Sequence, residues 1–427
     1  MKKLSLKSLE GAEYNNLLKR PSIDSENSFS IVKPILRSIK NNGMAAVLQY
    51  CEQFDNLSGR DLLVSKEEME SAAAELPSKV KEAIDTAVRN ITTFHEQQIP
   101  KGYSLETMPG VECSREYRAI ESVGLYIPGG TAVLPSTMMM LAIPARLAGC
   151  KRIVACSPAK NGAVNSAVLY AAGVCGVDEI YLAGGAQAIG MMAYGTEITA
   201  KVDKIFGPGN QYVTAAKSLV SIDTEGCAID MPAGPSEVLI IADESADPSF
   251  VAADLLSQAE HGVDSQSILL TTSESLADKV IAEVDSQLKE LERVDIAAES
   301  LKSSFILITN SLDECYAFSN KYAPEHLIIN TANPEVVNEK IINAGSVFLG
   351  AYSPESVGDY ASGTNHSLPT YGYAKSFSGV NVLDFMKSIT FQKLTEKGLQ
   401  EIAGTVITLA ETEKLQGHAN AVRVRLK

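Results

Sequence analysis

Four of the five histidines in this chain lie in its second half, each beside residue types that take part in chemistry. They are His261, His326, His366 and His418. Imidazole titrates near neutral pH and is the commonest metal-binding side chain. Their wide spacing predicts one site that is assembled from distant segments. The fifth, His95 in NITTFHEQQ, has no such neighbours, and we expect it to be a solvated helix residue.

Gln258 and His261 lie three residues apart in VAADLLSQAEHG, a segment with a helical pattern that ends at Gly262. This spacing would place both side chains on one helix face, where an amide oxygen and an imidazole nitrogen could share a divalent ion. A polar helix C-terminus, where the helix dipole favours histidine, explains the same residues. On this motif alone both interpretations stay open.

Asp359 and His366 belong to a segment rich in turn-forming residues, SPESVGDYASGTNHSLP. Such a composition is also found in plain turns. This segment follows the apolar strand SVFLG, however, and open α/β sheets bind ligands at the carboxyl ends of their strands. Asp359 is therefore a candidate anionic ligand for a dication, and His366 is a candidate ligand or substrate contact.

Glu325 and His326 form a dipeptide directly before the apolar strand LIIN. A carboxylate and an imidazole held together can divide acid–base work, because one can activate water while the other moves a proton. Pro324 restricts the backbone before them, which favours a positioned role. An exposed, charged loop is the alternative for an isolated pair of this kind.

Three glycine-rich turns follow predicted strands in one block of the sequence, near Tyr126, Gln187 and Asn210. They read YIPGG, AGGAQAIG and GPGN, and their backbone amides could approach a nucleotide phosphate. None is the G-x-G-x-x-G fingerprint, and no acidic residue stands at the distance expected for the ribose hydroxyls. Dinucleotide binding in an atypical geometry and generic turns both remain open.

The segment GCAIDMPAGPSE lies between two blocks of predicted strands. Pro232 and Pro235 stiffen it, and Ser236 could contact a ligand in the crevice between the blocks. A stiff linker explains the segment equally well.

The elements that would position these residues are βαβ units. Residues 1 to about 110 show mainly helical spacing, whereas short apolar strands alternate with helices from Val123 onward. This alternation predicts an α/β fold with two related parallel-sheet domains, covered on both faces. The expected strands are 123–128, 152–157, 179–184, 204–207, 237–242, 267–272, 305–309, 327–330 and 346–350.

Size and composition exclude several classes of protein. At 427 residues the chain exceeds the size at which one core keeps growing, so more than one domain is expected. A formal charge of -15 argues against a nucleic-acid partner. The most apolar stretch, 133–147, is interrupted by prolines and an arginine, so we expect no membrane partner. The seven cysteines form no C-x-x-C pair, and without a signal peptide we expect free thiols in a cytoplasmic protein.

The C-terminal segment differs from the blocks before it. Its apolar residues give helical elements one apolar face, formed by Leu394, Leu399, Ile402, Val406, Leu409 and Leu415. A segment of this size cannot build its own core, so it must dock either on the body of the chain or on a second subunit. It carries Glu413 and His418, which makes its docking partner important for the site.

Together these motifs closely resemble the histidinol dehydrogenase family. The resemblance runs in order from about residue 20 to the end, through VGLYIPGG, AGGAQAIG, KIFGPGN, DMPAGPSEVLIIAD, DLLSQAEHG, PEHLII, AGSVFLG, SPESVGDYASGTNHSLPTYG and the terminal Glu413 and His418. With it we expect two incomplete Rossmann-like domains and small helical extensions. The NAD-binding domain would be 113–235, and the domain with the metal and catalytic motifs would combine 25–112 with 236–380. Residues 1–24 would form a helical arm, and 381–427 a helical dimerisation arm.

The resemblance implies an NAD-dependent zinc enzyme that oxidises L-histidinol through L-histidinaldehyde to L-histidine with two NAD, the last step of histidine biosynthesis. Glu325 would activate water and His326 would be the acid/base, while one zinc ion per subunit would position the substrate. The implied zinc ligands are Gln258, His261, Asp359 and His418. The implied NAD contacts are Tyr126, Gln187 and Asn210. The implied substrate contacts are the zinc ligands together with Ser236, His326, His366 and Glu413.

The resemblance also implies a homodimer in which the C-terminal arm completes the neighbour's site, so that Glu413 and His418 act in trans. Other functions remain open at this point. One is a related zinc and NAD dehydrogenase for another small alcohol, such as a sulfonated diol. Another is a zinc hydrolase in which the glycine-rich turns bind nothing. A non-catalytic metal-binding scaffold would have no need of the Glu325–His326 pair.

Overall fold

A computed structural model describes residues 1–20, 25–129, 134–159, 162–231, 234–337 and 339–427 of the chain. Gly130 of the first glycine-rich turn and Pro232 of the linker lie outside these residues. The described strands form a parallel six-stranded sheet, a parallel five-stranded sheet and an antiparallel three-stranded sheet. The expected α/β fold with two parallel-sheet domains is confirmed.

The strands in chain order are β1 Lys2–Ser5, β2 Tyr103–Met108, β3 Val111–Ala119, β4 Ser122–Tyr126, β5 Arg152–Ser157, β6 Glu179–Leu182, β7 Lys204–Phe206, β8 Ala228–Ile229, β9 Glu237–Ala242, β10 Gln266–Thr271, β11 Phe305–Ile308, β12 His326–Asn330, β13 Ser346–Leu349 and β14 Met386–Leu394. Each strand predicted from the sequence is present, with ends that differ by no more than two residues. Differences of this size are usual at the ends of elements.

The α-helices are α1 Gly11–Leu17, α2 Ser25–Asp55, α3 Lys66–Glu75, α4 Ser78–Glu96, α5 Pro135–Ala148, α6 Ser166–Cys175, α7 Gly185–Tyr194, α8 Gln211–Ile222, α9 Pro248–Ala259, α10 Glu274–Gln287, α11 Val294–Ser303, α12 Leu312–Tyr322, α13 Glu355–Tyr360, α14 Glu396–Thr412 and α15 Gln416–Arg423. No described helix combines the length and the apolar character needed to cross a bilayer.

The five-stranded sheet has the order β6-β5-β4-β7-β8 and is covered by α5 to α8. Its central strands are apolar on both faces, as expected for a parallel sheet buried between helices. The long helices α2 to α4 pack on this sheet and share its core. At Gly190 in α7 a Cβ would lie 2.8 Å from Ile39 Cδ1, so glycine lets α2 approach closely.

The six-stranded sheet has the order β1-β11-β10-β9-β12-β13. One face packs against α9, α10 and α11, and the other packs against α12 and the N-terminal segment. The predicted N-terminal helical arm therefore begins with an edge strand, β1, which pairs in parallel with β11. A strand of four residues with two lysines carries too little apolar pattern to be predicted alone.

The antiparallel sheet has the order β14-β3-β2 and leads into α14 and α15. The C-terminal segment was expected to be helical throughout, but residues 386–394, including Leu394, form the strand β14. It pairs with β3 along its whole length, with Ile389 opposite Glu116. Most residues of β14 are exposed, so burial does not impose a clear two-residue alternation on its sequence.

His95 is buried, with none of its surface exposed, so the prediction of a solvated residue is wrong. It continues the buried face of α4 that contains Ile84, Ala87 and Ile91, at helical spacing. Its Nδ1 lies 2.9 Å from the Ile91 carbonyl oxygen, and burial lowers its pKa. The cysteines are all unpaired, and every one except Cys113 is buried, as the sequence predicted.

Candidate active site

A cleft of about 520 Å³ lies between the two parallel sheets. The five-stranded sheet contributes the turn after β7, including Asn210, at the carboxyl ends of its strands. The six-stranded sheet contributes Ser236, Glu325 and His326, at the amino ends of β9 and β12. The segment of Asp359 was expected at the carboxyl ends of its sheet, but Asp359 lies beside His326 at the amino ends. The volume is in the range of small-molecule sites.

Glu325 and His326 are held where the chain turns from α12 into β12. Ala323 ends the helix in a left-handed conformation (φ 54°), and Pro324 follows it. Both acid–base side chains are buried, with residue exposures of 5% for Glu325 and 4% for His326. Glu325 Oε2 lies 3.6 Å from His326 Nδ1 and accepts a 2.9 Å hydrogen bond from the backbone N–H of Glu237. The alternative of an exposed charged loop is thereby excluded.

The surroundings of Glu325 and His326 raise the pKa of both side chains. Burial raises the pKa of Glu325, and the neighbouring His326 only partly opposes this shift. Burial would lower the pKa of His326, but the carboxylates of Glu325 and Asp359 outweigh it, so the pKa of His326 is raised. A carboxyl made more basic by burial is suited to removing a proton from water near neutral pH.

Asp359 lies on α13, which packs on β13 through Gly358, where a Cβ would lie 2.5 Å from the Phe348 ring. Asp359 Oδ1 lies 3.3 Å from His326 Nε2 without the alignment of a hydrogen bond. Burial works to raise the pKa of Asp359, but its contact with His326 outweighs burial and lowers that pKa. The carboxylate is therefore held ionised beside the imidazole.

His366 faces the same cleft. Its Nδ1 lies 3.0 Å from the backbone oxygen of Asp359, and its Nε2 lies 3.2 Å from the Thr137 hydroxyl. Burial lowers the pKa of His366, despite the nearby Asp359 carboxylate, which favours a neutral ring. Thr137 belongs to the apolar stretch in α5, and nothing in that stretch marked it as a cleft residue.

Gln258 and His261 lie at the end of α9, but not on one helix as predicted. The helix ends at Ala259, and His261 sits in the following turn with its N–H 3.2 Å from the Gln258 carbonyl. The Gln258 side chain is fully buried, and neither its Oε1 nor its Nε2 has a hydrogen-bond partner in the structure. His261 reaches water in the cleft, yet the surrounding protein desolvates it and lowers its pKa.

Asn210 caps the amino terminus of α8, where its side chain accepts hydrogen bonds from the N–H groups of Tyr212 and Val213. The turn before it depends on Gly207 (φ 121°), where a Cβ would lie 2.2 Å from the Tyr126 carbonyl oxygen. A buried ion pair braces this turn. It is formed by Lys217, which donates to the Gly207 carbonyl, and Asp230, which accepts from the Gly207 N–H. No sequence motif indicated this pair.

Tyr126 and Gln187 lie together around a second glycine turn, after β6. The Tyr126 hydroxyl accepts a 3.1 Å hydrogen bond from Gly185 N–H, and Gln187 Nε2 donates to Asp55 at 3.1 Å. Both side chains are buried, with exposures of 4% and 1%, and neither lines the cleft. Asp55 reaches this turn from α2, a position that sequence spacing did not suggest.

Glu413 is exposed in the turn between α14 and α15, His418 is exposed on α15, and neither lines the cleft of its own chain. Within the described parts of the chain, no cluster of three or more histidine, cysteine, aspartate or glutamate side chains could hold a metal. Of the predicted ligands, the chain itself brings His261 and Asp359 to the cleft, with Gln258 buried at the end of α9.

The two parallel sheets, with a buried acid–base pair in the cleft between them, define a two-domain α/β enzyme. The family model for histidinol dehydrogenase matches residues 18–426. Histidinol dehydrogenase from Bacteroides fragilis is 54% identical over 97% of both chains. That from Vibrio cholerae is 51% identical over 100% of this chain and 99% of its own. The chain belongs to the histidinol dehydrogenase family, which comprises NAD-dependent oxidoreductases of histidine biosynthesis.

The fold agrees with a solved relative. The crystal structure of histidinol dehydrogenase from Elizabethkingia anophelis matches with a TM-score of 0.95 at 50% identity, covering 100% of this chain and 98% of that chain. At this similarity, the likeness covers both parallel sheets and both terminal segments.

Proposed function

We propose that this enzyme oxidises L-histidinol through L-histidinaldehyde to L-histidine, reducing two NAD and consuming one water. The observation that carries the proposal is the buried Glu325–His326 pair, which faces a cleft bordered by the glycine turn at Asn210. A four-electron oxidation of an alcohol needs a base for the hydroxyl proton and another for water. These two side chains supply both bases. Seven free thiols are consistent with a reducing, cytoplasmic compartment.

His326 is the proton acceptor in both oxidations. Its Nδ1 lies 3.4 Å from the Glu237 carbonyl oxygen, so in the neutral ring a proton on Nδ1 would point there and leave Nε2 as the base. The raised pKa of His326 places that neutral form in the alkaline range. Nε2 has no hydrogen-bond partner in the structure and lies beside the Asp359 carboxylate, which stabilises the imidazolium that forms. NAD, when bound, accepts the hydride that leaves the substrate carbon.

Glu325 activates the water that converts the aldehyde to its hydrate. Its Oε2 is held by the Glu237 N–H, and burial raises its pKa, so the ionised carboxylate is a stronger base than in water. The hydrate then loses its proton to His326 in the second oxidation. Overall, one histidinol, two NAD and one water give histidine, two NADH and three protons.

Zinc fits the residues around Gln258. Burying an amide with neither end hydrogen-bonded is costly, and the unpartnered oxygens of Gln258 and Asp359 are suitable metal ligands. Together with His261 they would hold one zinc ion per subunit, and His418 of a second subunit would be the fourth ligand. Zinc would supply a cation that binds the imidazole and amine of histidinol. His366 and Ser236, which also line the cleft, would contact the substrate.

NAD would bind at the carboxyl ends of the five-stranded sheet. There the amino terminus of α8, capped by Asn210, opens onto the cleft, and helix amino termini favour phosphate. Tyr126 and Gln187 would contribute by shaping the neighbouring glycine turn, because both are already hydrogen-bonded there.

A homodimer would complete the site. The C-terminal segment leaves large apolar side chains exposed, among them Phe391 (46%), Leu409 (59%) and Val424 (49%). Such a surface favours docking on another chain. With the arm crossing to the partner, Glu413 and His418 would reach the neighbour's cleft, whereas they do not line the cleft of their own chain.

The proposal is tested by adding L-histidinol and NAD to the purified protein. We expect two NADH for each histidinol consumed, with histidine as the product. One NADH per alcohol and an accumulating aldehyde would contradict the four-electron reaction, and turnover of a sulfonated diol alone would indicate a different substrate. Zinc is tested by metal analysis and by histidinol affinity after chelation. Unchanged affinity in the metal-free protein would refute substrate positioning by the metal.

A further inference from the structure

A buried ion pair connects the N-terminal segment to Glu237, whose backbone contacts the Glu325–His326 pair. Arg20, three residues after α1, forms a bidentate ion pair (a fork) with the Glu237 carboxylate. The Nε–Oε2 and Nη2–Oε1 distances are 2.8 and 2.7 Å. The two side chains are 8% and 1% exposed. Neither residue lines the cleft. Nothing in the sequence spacing suggested a role for either residue.

Arg20 is also tied to the end of α12, just before the catalytic dipeptide. Its Nη2 donates a 2.7 Å hydrogen bond to the Tyr322 carbonyl, and its guanidinium stacks 3.5 Å from the Tyr322 ring centroid. The Tyr322 hydroxyl in turn donates to Gln266 at 2.6 Å. One guanidinium therefore joins the start of β9 to the turn that leads into β12.

Glu237 is the connection from this ion pair to the reacting groups. While its side chain is clamped by Arg20, its backbone N–H donates to Glu325 Oε2 at 2.9 Å. Its backbone carbonyl oxygen lies 3.4 Å from His326 Nδ1. A rotation of this one residue would move both backbone contacts, and the shorter of them is the contact to Glu325.

The cost of burying two charges indicates that the pair serves geometry more than stability. A buried ion pair is often no more stabilising than apolar residues of the same volume. Its bidentate form, however, fixes direction as well as distance. We propose that Arg20 and Glu237 are positioning residues that hold the Glu325 carboxylate in place for hydration of the aldehyde. This inference rests on the proposed function, because it assigns the effect to one of its two steps.

The test separates the two oxidations in Arg20→Met and Arg20→Lys. Oxidation of added L-histidinaldehyde reports the second step, and the pre-steady-state NADH burst with L-histidinol reports the first. In both variants we expect kcat for histidinaldehyde to fall about tenfold or more, while its KM and the first-step rate stay within about twofold. Lysine keeps the charge but not the fork, so it should not restore the second step. If Arg20→Met does not fold, Arg20→Lys alone carries the comparison.

Arg152 provides a matched control, since it forks onto Glu179 at 2.7 and 2.9 Å in the five-stranded sheet, at the end away from the cleft. Arg152→Lys should leave the ratio of the two rates unchanged. A proportional loss of both steps in the Arg20 variants, or no loss, would overturn the positioning role. Lack of histidinol oxidation by the wild-type protein would instead refute the proposed function, so the two failures are distinguishable.

Discussion

Glu325 and His326 are neighbours in the chain, yet their environments assign them different work. Glu325 is held by a backbone N–H and made more basic by burial, whereas His326 has an unpartnered Nε2 beside an ionised carboxylate. These environments suit Glu325 to the proposed activation of water and His326 to the proposed removal of the hydroxyl proton. Variants of the two residues should therefore fail at different points of the reaction.

Glu325→Gln should spare the first oxidation and stall at hydration, because the amide keeps the shape but cannot take a proton from water.

His326→Asn should slow both oxidations by about 10²–10⁴-fold, as expected for loss of a general base. Rapid-quench analysis of histidinaldehyde and histidine checks both predictions. An equal loss of the two steps in Glu325→Gln would contradict the division of work between the two residues.

His95 predicts a pH dependence of stability that is separate from catalysis. Burial lowers its folded-state pKa below the ordinary value of 6.5, so the unfolded chain takes up its proton first as the pH falls. The stability that neutral His95 contributes is thus present above about pH 6.5 and is lost below it. Urea unfolding should be measured from pH 8 to pH 5. Over this range, the excess of the wild-type free energy of unfolding over that of His95→Gln should shrink. An advantage independent of pH would contradict this prediction.

At the scale of elements, burial decided what the sequence could reveal. β5 and β9 are apolar runs buried on both faces, and their bounds agree with the prediction from sequence. β1 is half exposed and most of β14 is exposed, so burial leaves little trace in the residue types of either strand. The grouping of α2 to α4 with the five-stranded sheet depends on which apolar faces meet, and spacing within each helix cannot determine that.

The candidate site, like the elements, could be predicted from the sequence only in part. The residue types and motifs were sufficient to single out His326, Asp359 and His366, and the structure brings these three together in one cleft. The Arg20–Glu237 pair was missed because its members are 217 residues apart, although Glu237 ends the segment GCAIDMPAGPSE. Tyr126 and Gln187 were expected to touch NAD, but the structure shows them hydrogen-bonded beneath a turn. Their contact with NAD stays a prediction.

Two glycines of α14 should respond to substitution with opposite signs. At Gly398 a Cβ would lie 2.2 Å from the Gly110 carbonyl oxygen, so Gly398→Ala should push α14 off the β2–β3 turn and cost about 1–3 kcal/mol. At Gly404 nothing lies within 4 Å of a Cβ, and alanine there should stabilise by about 0.5–1 kcal/mol through helix propensity. Thermal unfolding of both variants checks this. Equal stability of the two would contradict the close packing at Gly110.

At the scale of the whole molecule, the cleft lies between opposite ends of the two sheets. The carboxyl ends of the strands in one sheet face the amino ends of the strands in the other, so the turn at Asn210 and the Glu325–His326 pair come from different sheets. The C-terminal arm carries Glu413 and His418, which stay outside the cleft of their own chain. The proposed role of the arm in the site can be tested by asking whether it acts in its own subunit or in the partner.

Co-expression of His326→Asn and His418→Ala chains should restore activity that neither variant has alone. In a mixed dimer with crossed arms, the intact cleft of the His418→Ala chain receives the intact arm of the other chain, so one of its two sites is complete. Random pairing then predicts about a quarter of wild-type activity, because about half of the dimers are mixed. The control is His326→Asn with Glu325→Gln, where both lesions lie in the cleft and no pairing yields a complete site. Histidine formation is the measured activity, because the Glu325→Gln cleft should keep the first oxidation. If the arm serves its own chain, the first mixture will be as inactive as the control.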